Sequence, residues 1–292
     1  MATRRPRLAA IAMSVAFAVS GPAAADTPAV AVHYEVFAGG LHVLSSGMEL
    51  SLDSRRYDVR VNAQLVGMPG WFADWFAVVQ SDGGIDTNGL SPDRNRFERI
   101  RHGETRITEL DFAEDGGVAV TFSPERNDIG EPLPTDLLAG VLDPLSGVAQ
   151  LMWAVTGGAD CDTTVAVFDG RRRYDLIVTD LGTEELESSR RSAFVGQARR
   201  CRMQLEPVAG VFDEDEDSVW NRDSDPRRRR LDIWMANPVA DGPAVPVKMV
   251  GRSRMGAVVV HLRDARPSSE LGRATADASA PDVPTLDCGT PC

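Results

Sequence analysis

Lysine is almost missing from this chain: among 31 basic residues, Lys248 is the sole lysine and the others are arginines. Every lysine-dependent mechanism is therefore excluded except one built on Lys248. Histidine is scarce as well, and His33, His42, His102 and His261 form no recognisable arrangement around a cysteine. The sequence contains no H-E-x-x-H, no C-x-x-C, no glycine-rich phosphate loop and no G-x-S-x-G, which removes the commonest metallopeptidase, dithiol, nucleotide and hydrolase signatures. Beyond the N-terminus no apolar run approaches the ~18 residues of a membrane-spanning helix.

Positive net charge is lacking too. The formal charge is −12, a poor match for nucleic acid and for anionic membrane surfaces, so neither is expected as a partner. The first 25 residues carry Arg4, Arg5 and Arg7, then the apolar run "LAAIAMSVAFAV", then small residues at Ala23, Ala24 and Ala25. This pattern predicts a secretory signal peptide cleaved near Ala25/Asp26 and a periplasmic mature protein. Arg4-Arg5 leaves twin-arginine export as an alternative to the general route. Loss of those three arginines takes the formal charge from −12 to −15.

The rest is patterned as strand. "VAVHYEVFAGG" ends in Gly39-Gly40 and leads into "LHVLSSGMELSLD", a hairpin signal. In "RYDVRVNAQLVG", Tyr57, Val59, Val61, Ala63 and Leu65 share one face and Asp58, Arg60, Asn62 and Gln64 the other. Such alternation predicts an antiparallel sheet with one wet face. Further strands are expected in "FERIRH", "TRITELDF", "GGVAVTFSP", "RRRRLDIWMANP", "PVKMVGRSR" and "GAVVVHLRDA". The fold class is mainly β: a large curved antiparallel sheet of about ten or eleven strands, a half-barrel or open barrel. One helix is expected to lie on its concave face. That helix is "DPLSGVAQLMWAVTGG", with Asp143 as N-cap, Pro144 in its first turn and Gly157-Gly158 as terminator. Its Leu145, Val148, Ala149, Met152 and Val155 fall on one face. A shorter helix of one or two turns is read in "PGWFADWF", Pro69 to Phe76. A single domain spans residues 26–266; residues 267–292, rich in Ala, Pro, Ser and Asp, read as a disordered tail.

Cysteine chemistry follows from compartment. All four cysteines lie beyond the signal segment, and an even number there suggests disulfides. Cys161 with Cys201 is the simplest pair; exchange with a tail cysteine, or a nucleophilic Cys161, are the alternatives. Cys288 and Cys292 can bridge each other or a partner. "CDTTVAVFDGRRRYDLIVTDLG" reads as a hairpin turning at Asp169-Gly170, with Arg171 to Arg173 on a solvated strand end rather than in an anion site. Ser146 reads as a first-turn residue, not a nucleophile. The acidic run Asp213 to Ser218 lacks the glycine and closing glutamate of a calcium loop and reads as a solvated loop facing Arg227 to Arg230. No metal and no cofactor are expected.

Four of these segments, "YEVFAGGLHVL", "DPLSGVAQLMW", "CDTTVAVFDGRRRYDLIVTDLG" and "CRMQLEPVAG", occur in the order and spacing of a bacterial family, and the chain resembles domain of unknown function 3108 from about Val30 to Arg263. The resemblance implies an exported protein with a half-barrel-like antiparallel sheet, broadly similar to carriers of envelope lipoproteins; it implies no activity. The acidic insertion before Trp220 and the cysteine-bearing tail depart from the pattern.

The expected function is non-enzymatic binding of an apolar ligand or envelope component: a lipid, an acyl chain or an envelope protein. Its surface would be lined by Trp71, Phe72, Trp75 and Phe76, with Leu145 and Met152 of the helix. One alternative is a structural or interaction protein that supports the envelope through surface loops or an edge strand. The other is a hydrolase using carboxylates such as Asp143 or Asp169, which requires the two to meet in a cleft.

Overall fold

A computed structural model of the chain describes residues 29–67, 74–126, 130–211, 229–253 and 256–268. The signal segment, the tail cysteines Cys288 and Cys292 and the acidic run Asp213 to Ser218 lie outside them.

Alternation along the chain produces the strands β1 (Ala29–Ala38), β2 (Leu41–Leu52), β3 (Arg56–Leu65), β4 (Trp75–Asp86), β5 (Gly89–Arg101), β6 (Glu104–Phe112) and β7 (Val118–Ser123). A connection containing helices α1 (Thr135–Leu138) and α2 (Pro144–Thr156) follows. The second run is β8 (Thr163–Phe168), β9 (Arg172–Leu186), β10 (Gly196–Gly210), β11 (Arg230–Ala236), β12 (Val245–Ser253) and β13 (Gly256–Pro267). All thirteen join one antiparallel sheet in the order β7-β6-β5-β4-β3-β2-β1-β13-β12-β11-β10-β9-β8. Each run is a meander of neighbours, and the first and last strands pair in the middle. Gly39 and Gly40, at φ 56° and 87°, make the β1–β2 turn that the glycine pair predicts.

The sheet curls around α2. In β3 the face carrying Tyr57 and Val59 points inward, both side chains almost wholly buried, while Asp58 and Arg60 are exposed. The core gathers Val30, Leu50, Val59, Ile233, Val247 and Leu262 from the strands around Ala149, Leu151 and Met152 of the helix. The helix has the predicted ends: Asp143 caps it, Pro144 follows, and Gly157 closes it. It is buried on more than the predicted face, since Ser146, Gly147 and Leu151 are also enclosed. Gly147 lets it approach closely: a Cβ there would lie 3.0 Å from Leu176 and 3.1 Å from Val167.

The sheet stays open as a barrel. Its two edges, β7 and β8, are not hydrogen-bonded to each other; the segment before α2 fills the gap. Leu142 bonds to β8 through its N–H to the Ala166 carbonyl and its carbonyl to the Phe168 N–H, 2.8 and 2.9 Å. Leu110, Val141 and Phe168 form a second small core at this seam.

Two expectations are corrected. Among the described residues the sheet has thirteen strands rather than ten or eleven. Trp75 and Phe76 are not helical but open β4, a strand not among those expected. In a strand, alternation sends Trp75 and Phe76 to opposite faces. Trp71 and Phe72 lie outside the described residues.

Candidate functional site

At the start of α2 the concave face carries a buried polar network. Asp143 is fully buried. Its Oδ1 accepts from Ser81 Oγ (2.7 Å), Asn95 Nδ2 (3.0 Å) and the backbone N–H groups of Leu145 (2.9 Å) and Ser146 (3.0 Å). Ser146 Oγ donates to Oδ2, and Tyr57 OH stands 2.7 Å from Ser146 Oγ. Burial pushes the Asp143 carboxyl above the ordinary range; the Ser146 and Ser81 hydroxyls and the backbone N–H groups pull the other way without cancelling it. Oδ1, shared between the helix N–H groups and the donors of β4 and β5, pins the helix to those strands, while Oδ2 is taken by Ser146 of the helix itself. Ser146, read as a first-turn residue, belongs to this clamp.

Beyond the network α2 no longer covers the sheet. Cross-strand register lays out the uncovered face in rows: Ser81, Asn95, Leu110 and Val120; then Val79, Phe97, Thr108 and Phe122; then Ala77, Arg99 and Arg106. The rows run from polar and buried, through aromatic, to cationic. A cleft of about 620 Å³ lies over the last two, with Val79, Phe97, Phe122 and Leu145 as its apolar wall. Five arginines also line it, Arg99, Arg106, Arg126, Arg171 and Arg172, against the single carboxylate of Asp169. Phe97 keeps 37% of its surface exposed there. A second cleft, about 790 Å³, opens at the seam and is lined by Val118, Val120, Leu133, Leu138 and Phe168. Phe122 and Arg171 belong to the walls of both.

Of the residues expected to form a binding surface, Leu145 lines the cleft and Met152 does not: it is wholly buried in the core. The Asp169-Gly170 hairpin forms as read, with β8 and β9 on either side. Its arginines do not lie on a solvated strand end, however. The side chains of Arg172 and Arg173 are only 13% exposed. Asp169 accepts from the Arg171 and Arg172 N–H groups at 2.9 and 2.7 Å and so turns the chain inward, which brings Arg171 and Arg172 to the cleft. Asp143 and Asp169 do not share this space: Asp169 lines it, and Asp143 is sealed beneath it.

Cys161 and Cys201 are bonded, Cα atoms 6.0 Å apart, tying the start of β8 to β10 across β9. Both are buried. Lys248 Nζ lies 4.4 Å over the Trp234 ring, with the Arg200 guanidinium 4.9 Å from the same ring, and none of these three lines the cleft. Among the described residues no group of three His, Cys, Asp or Glu side chains converges as a metal site would require. Among the same residues no helix is long and apolar enough to cross a membrane.

Arg99, Arg106, Phe97 and Phe122 were not singled out from sequence. A signal existed in the alternation of Asn95, Phe97 and Arg99 along "NRFER". It acquires meaning only once β4 and β6 are placed beside it.

The solved structures include a similar chain, the "Beta-barrel-like Protein of Domain of Unknown Function DUF1849 from Brucella abortus", at a TM-score of 0.48 and 13% identity. The match covers 82% of this chain and 98% of that one. No curated protein matches. The family described as "Protein of unknown function (DUF3108)" matches residues 32–263, the whole sheet but for the first residues of β1 and the last of β13, and the chain belongs to that family.

Proposed function

We propose that this is an exported, non-enzymatic binding protein that holds an apolar ligand or apolar envelope component in the cleft beside α2. One observation carries the reading. A sheet otherwise filled by its helix leaves Val79, Phe97, Phe122 and Leu145 uncovered around an open space of about 620 Å³. That volume is within the range of small-molecule sites, and a concave space with an apolar wall and polar groups around it is the usual form of one. The buried Cys161–Cys201 bond supports an oxidising compartment, in keeping with the signal-like N-terminus and a periplasmic location.

Native mass spectrometry of the mature protein taken from its own cell envelope, followed by lipid extraction, tests this. A bound species that extracts into organic solvent is the expected result. If protein from the envelope is empty and added lipids do not bind either, the reading fails. The space beside α2 would then be a packing defect, and recognition would pass to the surface loops of an envelope-supporting protein.

A further inference from the structure

The cleft is not only apolar. Arg99 and Arg106 stand directly opposite each other on β5 and β6. Like charges at opposed positions of a ladder destabilise the sheet that holds them. Glu104 comes within 3.7 Å of Arg106, where both side chains are half or more exposed, a geometry that contributes little. No carboxylate among the described residues reaches Arg99 at ion-pair distance. Burial, followed by the charges of Arg106, Arg101 and Arg126, lowers the Arg99 guanidinium from its ordinary value. The Arg126 guanidinium lies 5.8 Å from the Phe122 ring centroid, on the border with the apolar seam cleft. In a chain of formal charge −12 the cleft is thus lined by five arginines and one carboxylate, with Arg99 and Arg106 in the row beyond the aromatic one.

We infer that the cleft takes a single-chain anionic amphiphile, its anionic head at Arg99 and Arg106 and its hydrocarbon along Phe97 and Phe122 toward Val120 and Leu133 of the seam. This rests on the binding reading above and adds the head group. A guanidinium presents donors in a planar fork that suits carboxylate and phosphate oxygens alike, so the two arginines set the sign of the head group rather than its identity. The two clefts adjoin at Phe122 and Arg171, and the Phe122 ring carries apolar surface from one into the other.

Titration calorimetry on the mature, disulfide-bonded protein, with each twelve-carbon probe below its micellar concentration, separates the cases. The probes are dodecanoate, dodecyl phosphate, dodecanol and dodecyltrimethylammonium, with inorganic phosphate as the chain-free anion. The expected result is that one or both anionic probes bind at least about tenfold more tightly than dodecanol and the cation. That preference should vanish in Arg99→Gln/Arg106→Gln and survive in Arg94→Gln, whose partner is Asp111 on the other face. An Arg99→Lys/Arg106→Lys variant that keeps the preference guards against misreading a folding defect. Equal binding of dodecanol and dodecanoate overturns the head-group inference and leaves the apolar-binding reading standing. Phosphate binding as tightly as dodecyl phosphate overturns the amphiphile. If no probe binds, the amphiphile inference falls, and the apolar-binding reading is decided separately by what extracts from the envelope-derived protein.

Discussion

Gly170 in the β8–β9 turn lies against Val120 of β7, so the two outer ends of the sheet meet there through a position with no side chain. A Cβ there would stand 3.2 Å from Val120 Cγ1 and 3.3 Å from both Leu110 Cδ2 and Thr108 Cγ2. The residue also sits at φ +91°. Gly170→Ala therefore meets both a steric and a conformational cost, and the expected loss is about 1–2 kcal/mol of stability. Urea unfolding reads it directly; an unchanged midpoint would mean that the edges can separate freely.

Asp143 holds the helix to the sheet, and its removal should show as more than a lost cap. In Asp143→Ala, Ser81, Asn95 and two backbone N–H groups lose their acceptor in a buried site. Cap loss of about 1 kcal/mol, with the unmet donors added, brings the expected cost to roughly 3 kcal/mol or more. Asn at this position keeps one acceptor oxygen and should fall between wild type and Ala. The ordering of the three midpoints is the check.

The Cys161–Cys201 bond closes a loop of sequence separation 40. Chain entropy alone predicts a stabilisation of roughly 4 kcal/mol, which Cys161→Ala/Cys201→Ala should lose. Reducing agent added under denaturing conditions should lower the refolded wild type to the same midpoint and leave the variant unmoved. A reducing-agent effect of equal size on the variant would assign the stabilisation elsewhere.

Asp232 links stability to pH. Arg202 and then Arg200 hold its carboxyl below the ordinary range, with contacts of 2.6 to 3.0 Å, against an opposing contribution from burial. A folded-state value depressed below the unfolded one gives stability that is full above about pH 4 and is lost as pH falls through the folded value. Asp232→Asn should thus be destabilised at neutral pH and draw level with wild type in acid. A gap between the two that stays constant down to about pH 2 would rule the linkage out.

How far the fold was legible depended on local signals agreeing. Tyr57 to Leu65 alternate without interruption, and β3 was read correctly. Asp143, Pro144 and Gly157 bracket α2, and its limits were read to the residue. β4 was lost because its glycines are not turn residues. Gly83 sits at a bulge opposite Pro92, where a Cβ would come within 2.2 Å of the Ser91 carbonyl oxygen. In isolation such a Gly-Gly pair looks like a strand terminator. Missing β4 removed the strand that sets Val79 beside Phe97. The arginines of β5 and β6 then looked like an ordinary feature of an arginine-rich chain. Their meaning lies in the register Arg99 to Arg106, a relation between strands that no single segment contains. Seam packing was out of reach for the same reason, since Gly170 and Val120 meet only after the sheet has curled.

The pairing of β1 with β13 bears on how such a molecule comes to exist. Val30 faces Pro267, more than 200 positions away along the chain, and this ladder sits in the middle of the sheet rather than at its rim. Synthesis delivers β1 first and β13 last, so the strand that begins the meander waits with one row of N–H and C=O groups unmet until nearly the whole chain has appeared. Contacts this distant in sequence close slowly, and an unmet strand edge attracts other chains. The central ladder therefore sets the moment at which the protein becomes safe from aggregation, and that moment comes only after the last strand has arrived.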